Sequence, residues 1–175
     1  MTDPVAARPS LAAGGAFPDL ALPDHAGNAR TLSELVAGDP AVLQFYRGWW
    51  CPKEQAFFRR LLALQDEAEV AYCRIISVSV DPPPVTAAFR AGLGARWTFL
   101  CDPDRTEQER VGLRETTDTV NDPYVPAVFT LAPDLTIHAA YNGYWFWGRS
   151  TNEELRQDLR AITRAIRPDW DAPTP

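Results

Sequence analysis

Residues 41–68 run from an apolar stretch, Ala41-Val42-Leu43-Gln44-Phe45-Tyr46, through Arg47-Gly48-Trp49-Trp50-Cys51 into a segment opened by Pro52. In that segment Phe57, Phe58, Leu61, Leu62, Leu64 and Ala68 recur at three- and four-residue intervals. The first stretch predicts a strand buried on both faces, as in a parallel sheet, and the second a helix packed on one side. A buried strand feeding directly into a covering helix restricts the chain to an α/β layer fold. Pro52 suits the first helical position, where its missing N–H costs nothing, so Cys51 falls at or next to the N-cap with free backbone N–H groups directed at its sulfur. The positive end of the helix, with Lys53 and Arg47 close in sequence, favours the thiolate, which is the reactive form.

The same reading extends along the chain. Residues 1–15, rich in Ala, Gly and Pro, predict a loose arm, 16–168 a single domain and 169–175 a tail. Phe17–Leu22 alternates like a short strand, Asp24–Asn28 forms a turn, and Thr31-Leu32-Ser33-Glu34 is the pattern of a capping box opening a short helix closed by Gly38. Cys73–Val80 predicts a strand broken by Asp81-Pro82-Pro83-Pro84, followed by a helix from about Val85 to Ala91 and a strand over Trp97–Leu100. A helix over Thr106–Leu113 comes next, then a hairpin of Ala127–Leu131 and Thr136–Tyr141. A last helix opens near Ser150–Glu154, carries Leu155, Leu159, Ile162 and Ile166 on one stripe, and ends at Pro168. Helices therefore cover both faces of the sheet, which has one antiparallel edge. Ligands bind beyond the carboxyl ends of the parallel strands in such sheets, where Cys51, Asp81 and Cys101-Asp102 should gather.

Composition narrows the function classes. At 175 residues the chain can bury an ordinary core without staples. A formal net charge of -6 and the absence of a Lys/Arg run argue against nucleic acid or an anionic membrane as partner. The segment from Met1 to Ala16 lacks an apolar stretch with basic flanks, so a cytoplasmic protein with no membrane partner is expected. Three cysteines do not make a disulfide framework, and His25 and His138 lack zinc-ligand spacing. No metal and no other cofactor is expected.

Phe17-Pro18-Asp19-Leu20, Phe45-Tyr46-Arg47-Gly48, Trp50-Cys51-Pro52, Val78-Ser79-Val80-Asp81, Leu100-Cys101-Asp102-Pro103-Asp104 and Val125-Pro126-Ala127-Val128-Phe129 together resemble the peroxiredoxin-like alkyl hydroperoxide reductase and thiol-specific antioxidant family. The likeness spans about residues 14–166. It implies a thioredoxin-like, peroxiredoxin-type mixed central sheet with helices on both faces. It also implies that Cys51 is the peroxidatic cysteine, oxidised by a hydroperoxide to a sulfenic acid, in keeping with a low-pKa class of thiol. Glu54 resembles the glutamate of a Cys-Pro-x-Glu motif, although at N3 it could equally close a reciprocal cap. Pro126 resembles the proline that follows a cis bond and faces the active cysteine in thioredoxin-like folds.

Four positions depart from the family pattern. Gln44 and Gly48 stand where a proline and a peroxide-orienting threonine are usual, Pro126 falls near the usual arginine position, and Glu54 replaces the second cysteine of Cys-Pro-x-Cys relatives. Arg47 is the first substitute for the missing cation, with Arg149 behind it. Cys101 either resolves an oxidised Cys51 or packs as a small hydrophobe, the commoner use of cysteine, and Cys73 should be core. Asp81 and Asp102 read as turn residues, and His138 as a packed or exposed side chain. Trp49, Trp50 and Tyr144-Trp145-Phe146-Trp147 could line a pocket, form a homodimer interface or fill the core.

The expected activity is that of a one-cysteine, thiol-dependent antioxidant oxidoreductase acting on a peroxide and recycled by an external thiol reductant. Two alternatives stay open: a thioredoxin-like thiol-disulfide exchanger, and a non-catalytic thioredoxin-fold binding or assembly module.

Overall fold

The computed structural model describes residues 11–143 and 146–170. Most of the expected arm, the Tyr144-Trp145 half of the aromatic cluster and residues 171–175 of the tail lie outside them. The elements are β1 (Ala21–Pro23), β2 (Ala29–Thr31), α1 (Leu32–Val36), β3 (Ala41–Phe45), α2 (Pro52–Val70), β4 (Arg74–Ser79) and α3 (Pro83–Leu93), followed by β5 (Thr98–Cys101), α4 (Thr106–Val111), β6 (Ala127–Leu131), β7 (Ile137–Asn142) and α5 (Asn152–Ile166). Short 3-10 turns occupy Phe146–Gly148 and Pro168–Trp170.

The main sheet has the order β5-β4-β3-β6-β7, with β3, β4 and β5 parallel and β6 and β7 antiparallel to their neighbours. All five residues of β3 are buried, because the strand is central and covered on both faces. Its side chains alternate. Leu43 and Phe45 join a core with Leu20, Leu32, Val78 and Phe129, while Val42 and Tyr46 join a second core with Phe57, Phe58, Leu61 and Leu155. On that second face Gln44, at the usual proline position of the family, accepts a hydrogen bond from the Ser77 hydroxyl at 2.8 Å, and Ser77 in turn accepts one from the Trp97 indole at 2.9 Å. The buried polar side chain is thereby held by its neighbours.

Two expectations change. The first strand is Ala21–Pro23 rather than Phe17–Leu22, because Pro18 offers no N–H to a ladder and Asp19 instead accepts hydrogen bonds from Ser33 N and Oγ. Helix α3 starts at Pro83, not Val85: prolines read as breakers are accommodated in a first turn, where no intrahelical N–H is needed. The expected hairpin forms the antiparallel edge, with β6 directly beside β3. Elsewhere the capping box expected near Ser150 is centred on Thr151 and Glu154, and Thr31 caps α1 through Glu34 N.

Topology brings the site together. Phe45 at the end of β3 lies beside Val78 of β4 and opposite Ala127 at the start of β6, which pairs with Asn142 at the end of β7. Five connections therefore meet at one end of the sheet, with Cys101-Asp102 there as expected: residues 46–51, the turn at Asp81, the turn at Asp102 after β5, the segment entering Pro126, and Gly143 and Arg149 after β7.

Candidate active site

Cys51 is the N-cap residue of α2, in extended conformation (φ -83°, ψ 117°), with Pro52 at the first helical position. Its backbone N–H bonds Gly48 O at 3.3 Å and its carbonyl accepts from Gln55 N at 3.1 Å, so a tight turn delivers the residue to the helix start. The N–H groups of Lys53 and Glu54 lie in the first turn, where no intrahelical acceptor exists, and they form the positive end of a 19-residue helix. Cys51 itself is 3% exposed.

Glu54 does not close a cap on Cys51. It is fully buried and accepts a bidentate pair from Arg149, Nη1 to Oε2 at 2.7 Å and Nη2 to Oε1 at 2.9 Å, while Oε1 also accepts from Arg47 N at 3.3 Å. Burial of a carboxylate requires such compensation, and a forked guanidinium supplies it best. The Arg149 guanidinium carbon stands 5.4 Å from the Phe57 ring centre. A Cβ on Gly143 would come within 3.0 Å of Arg149 Cγ and 3.1 Å of Pro126 O, so Gly143 leaves the passage through which Arg149 reaches Glu54. Gly143 N also donates to Pro126 O at 2.7 Å. The Val125–Pro126 bond is trans, contrary to what the resemblance implied, and no cis bond occurs among the described residues.

Arg47, the first candidate for the site's cation, is engaged elsewhere. Its Nη2 donates to Asp118 Oδ2 at 2.7 Å and its guanidinium lies 5.1 Å above the Trp50 ring. Asp118 also accepts from Asn121, whose N–H holds the carboxyl below the usual range. The order of the two arginines is therefore reversed: Arg149 contacts the motif glutamate and Arg47 anchors the covering segment around Asp118.

Gly48 occupies a backbone region that residues with a side chain rarely adopt, φ +149°, and a Cβ there would sit 2.5 Å from Trp50 Nε1. Thus the position that carries a hydroxyl in the family is filled here by the edge of the Trp50 indole. Replacing Gly48 with Ala should cost about 1–3 kcal/mol in denaturant unfolding, from backbone strain and displacement of the ring. Near-ultraviolet circular dichroism should report the altered indole. Wild-type stability and spectrum would show that the turn tolerates a side chain.

The remaining candidates are placed as follows. Asp81 Oδ2 accepts from Trp49 N at 3.1 Å, while Gln55 Nε2 donates to Trp49 O at 2.8 Å, so the turn before Cys51 is pinned from both sides. Burial pushes the Asp81 carboxyl up, opposed by the Trp49 N–H. Asp102 accepts from Tyr124 OH at 2.6 Å and from Gln108 N at 2.8 Å, a structural role at the start of α4. Cys101 is fully buried, and burial pushes its thiol up. It sits at the end of β5, two strand spacings or about 10 Å from the line of β3, and both it and Cys51 are free thiols. Cys73 is buried at the opposite end of the sheet, and His138, on β7, lies 3.7 Å from Asp158. Asp118, Gly143 and the Gly48–Trp50 contact were not singled out from the sequence.

Residues 13–140 match the AhpC/TSA family. The chain belongs to that family. Peroxidoxin BcpB from Mycobacterium tuberculosis is 25% identical, with a TM-score of 0.70 over 89% of this chain and 98% of that one. The Enterococcus faecalis AhpC structure is 17% identical, with a TM-score of 0.71 over 90% and 96% of the two chains. A putative thiol:disulfide interchange protein DsbE from Chlorobium tepidum is 22% identical, with a TM-score of 0.69 over 87% and 99%. No curated protein sequence matches the chain. This AhpC/TSA member thus has a peroxiredoxin-type thioredoxin fold, and among its described residues no helix is long and apolar enough to cross a membrane.

Proposed function

We propose that this AhpC/TSA protein is a one-cysteine peroxidase in which Cys51 is the nucleophile. The observation that carries it is the position of Cys51, the N-cap of α2, in whose first turn Glu54 is buried and paired with Arg149. The Cys51 thiolate attacks one oxygen of a hydroperoxide, the O–O bond breaks, and the second oxygen leaves with a proton as water or alcohol. Cys51 is left as a sulfenic acid. An external thiol then displaces water to form a mixed disulfide, and a second thiol releases Cys51 and carries away the disulfide. Arg149 positions Glu54, and Glu54 holds the Arg47 backbone and so the turn that presents Cys51. Regeneration by free thiols calls for a reducing compartment, here the cytoplasm. Trp147, largely exposed beside the site segment, is the residue on which a second copy would pack.

Mixing the reduced protein with hydrogen peroxide should add one oxygen to the Cys51 peptide, read by mass spectrometry, and leave Cys73 and Cys101 unmodified. Turnover should follow with a small thiol reductant, and Cys101→Ala should keep the wild-type rate because no internal disulfide is required. Absence of Cys51 oxidation would sink the proposal, and capture of mixed disulfides without peroxide consumption would favour thiol exchange instead. Because Cys51 is 3% exposed, hydrogen peroxide should react faster than cumene hydroperoxide in stopped flow. The opposite order would mean that an open apolar pocket serves the thiol.

A further inference from the structure

At the end of the sheet remote from Cys51, the last turns of α2 and α5, the link at Tyr72 and the 3-10 turn at Trp170 line an open cavity of about 540 Å³. That volume is in the range of small-molecule sites. Its floor is apolar, with Leu64, Ala68, Cys73 and Leu159 all buried. Two aromatic rings stand at the rim, Tyr72 at 63% and Trp170 at 50% exposure, with centroids 5.7 Å apart. Large rings left in water beside an apolar floor are the mark of a surface that receives something.

The charge of the rim is opposite to that of the chain. The formal net charge is -6, yet Arg156, Arg160, Arg164 and Arg167, spaced by four, four and three residues, line this one cavity. Glu67 is the carboxylate among the lining residues, and it is taken by Arg156 through contacts of 2.6 and 2.7 Å. Arg160 has no ion-pair partner within 4 Å among the described residues and acts on Glu67 through its field alone, while Arg167, whose Nη2 lies 4.0 Å from Asp39 Oδ1, has its guanidinium 5.0 Å above the Trp170 ring. The carbonyl ends of α2 and α5 contribute roughly half a negative charge each, which the full charges of the guanidiniums exceed.

We propose that this cavity binds an amphipathic organic anion, its apolar body on the floor between Tyr72 and Trp170 and its acidic head on Arg160 and Arg167. The only thiol on the floor does no chemistry there: burial pushes Cys73 up to about 11, so it stays protonated at neutral pH. The site is for binding, and it is independent of the role assigned to Cys51.

Binding can be read without peroxide. Bound 8-anilinonaphthalene-1-sulfonate would serve as fluorescent reporter on the full chain, displaced in turn by decanoate, decyl phosphate and the uncharged decyl maltoside. Both anions should compete at least about tenfold better than the maltoside, a difference of about 1.4 kcal/mol. The stronger of the two then identifies carboxylate or phosphate as the preferred head. Arg160→Glu and Trp170→Ala should each weaken the better anion by about tenfold and Arg160→Lys much less, with thermal unfolding confirming that all three variants fold. No displacement by either anion at millimolar concentration, equal displacement by the maltoside, or unaltered affinity in folded Arg160→Glu and Trp170→Ala proteins would each overturn the proposal.

Discussion

Replacing Arg149 with methionine should lower the unfolding free energy by about 3–5 kcal/mol, the usual cost of leaving one member of a buried ion pair uncompensated. Glu54 is fully buried and both of its oxygens are held by Arg149, so no solvent is available to take over. For a chain of this size such a loss shifts the melting temperature by on the order of 10 °C. The pairing, rather than the volume of the side chain, should account for it. Glu54→Met combined with Arg149→Met removes both charges and should recover most of the stability, whereas Arg149→Lys keeps the charge but loses the fork and should recover only part. Chemical denaturation of the four proteins measures this directly. A loss below about 1 kcal/mol for Arg149→Met would show that the pair is solvated in solution, as exposed pairs of that small value are.

The same pair shows where the sequence was readable and where it was not. Strand β3, helix α2 and the N-cap position of Cys51 follow from short-range patterns: an apolar run, a three-to-four-residue repeat and a proline at the helix start. Arg149 is 95 residues from Glu54, and only the antiparallel placement of β6 and β7 beside β3 brings it back to the same end of the sheet. Local charge proximity favoured Arg47, which is nearer in sequence but drawn off by Asp118. A signal was present nonetheless. A glutamate at N3 without a Ser, Thr, Asp or Asn at the N-cap has no reciprocal cap to make, and if buried it needs a cation from elsewhere. The filled space at Gly48 was illegible for a related reason: that a glycine replaces a hydroxyl residue is visible in the sequence, but that an indole edge occupies the vacated volume is a matter of side-chain packing. Likewise Asp81-Pro82-Pro83-Pro84 does end the strand before it, but its prolines also suit a first helical turn, so α3 begins at Pro83 rather than Val85.

Cys51→Ser should abolish thiol-dependent peroxide consumption, with a loss of at least about a thousandfold, because removing the nucleophile of a covalent mechanism leaves only the residual effects of the site. The substitution changes sulfur to oxygen at a residue whose side chain makes no capping hydrogen bond, so the start of α2 and the Glu54–Arg149 pair should be unaffected. Unfolding within about 1 kcal/mol of the wild type would confirm this. Stability and activity thus separate in opposite directions at neighbouring positions: Arg149→Met should be costly to the fold and reduce turnover through the loosened turn at Arg47, while Cys51→Ser should leave the fold and remove turnover outright. Retention of peroxide consumption by Cys51→Ser would transfer the chemistry to another thiol, and the buried Cys101 and Cys73, each with its thiol pushed up by burial, offer no reactive substitute. Such a result would therefore remove Cys51 as the nucleophile and overturn the one-cysteine mechanism. The comparison also decides what Arg149 contributes. If Arg149→Met, assayed well below its melting temperature, raises the peroxide concentration needed for half-maximal rate, the guanidinium helps hold the substrate. If only the maximal rate falls, it acts through Glu54 on the presentation of Cys51.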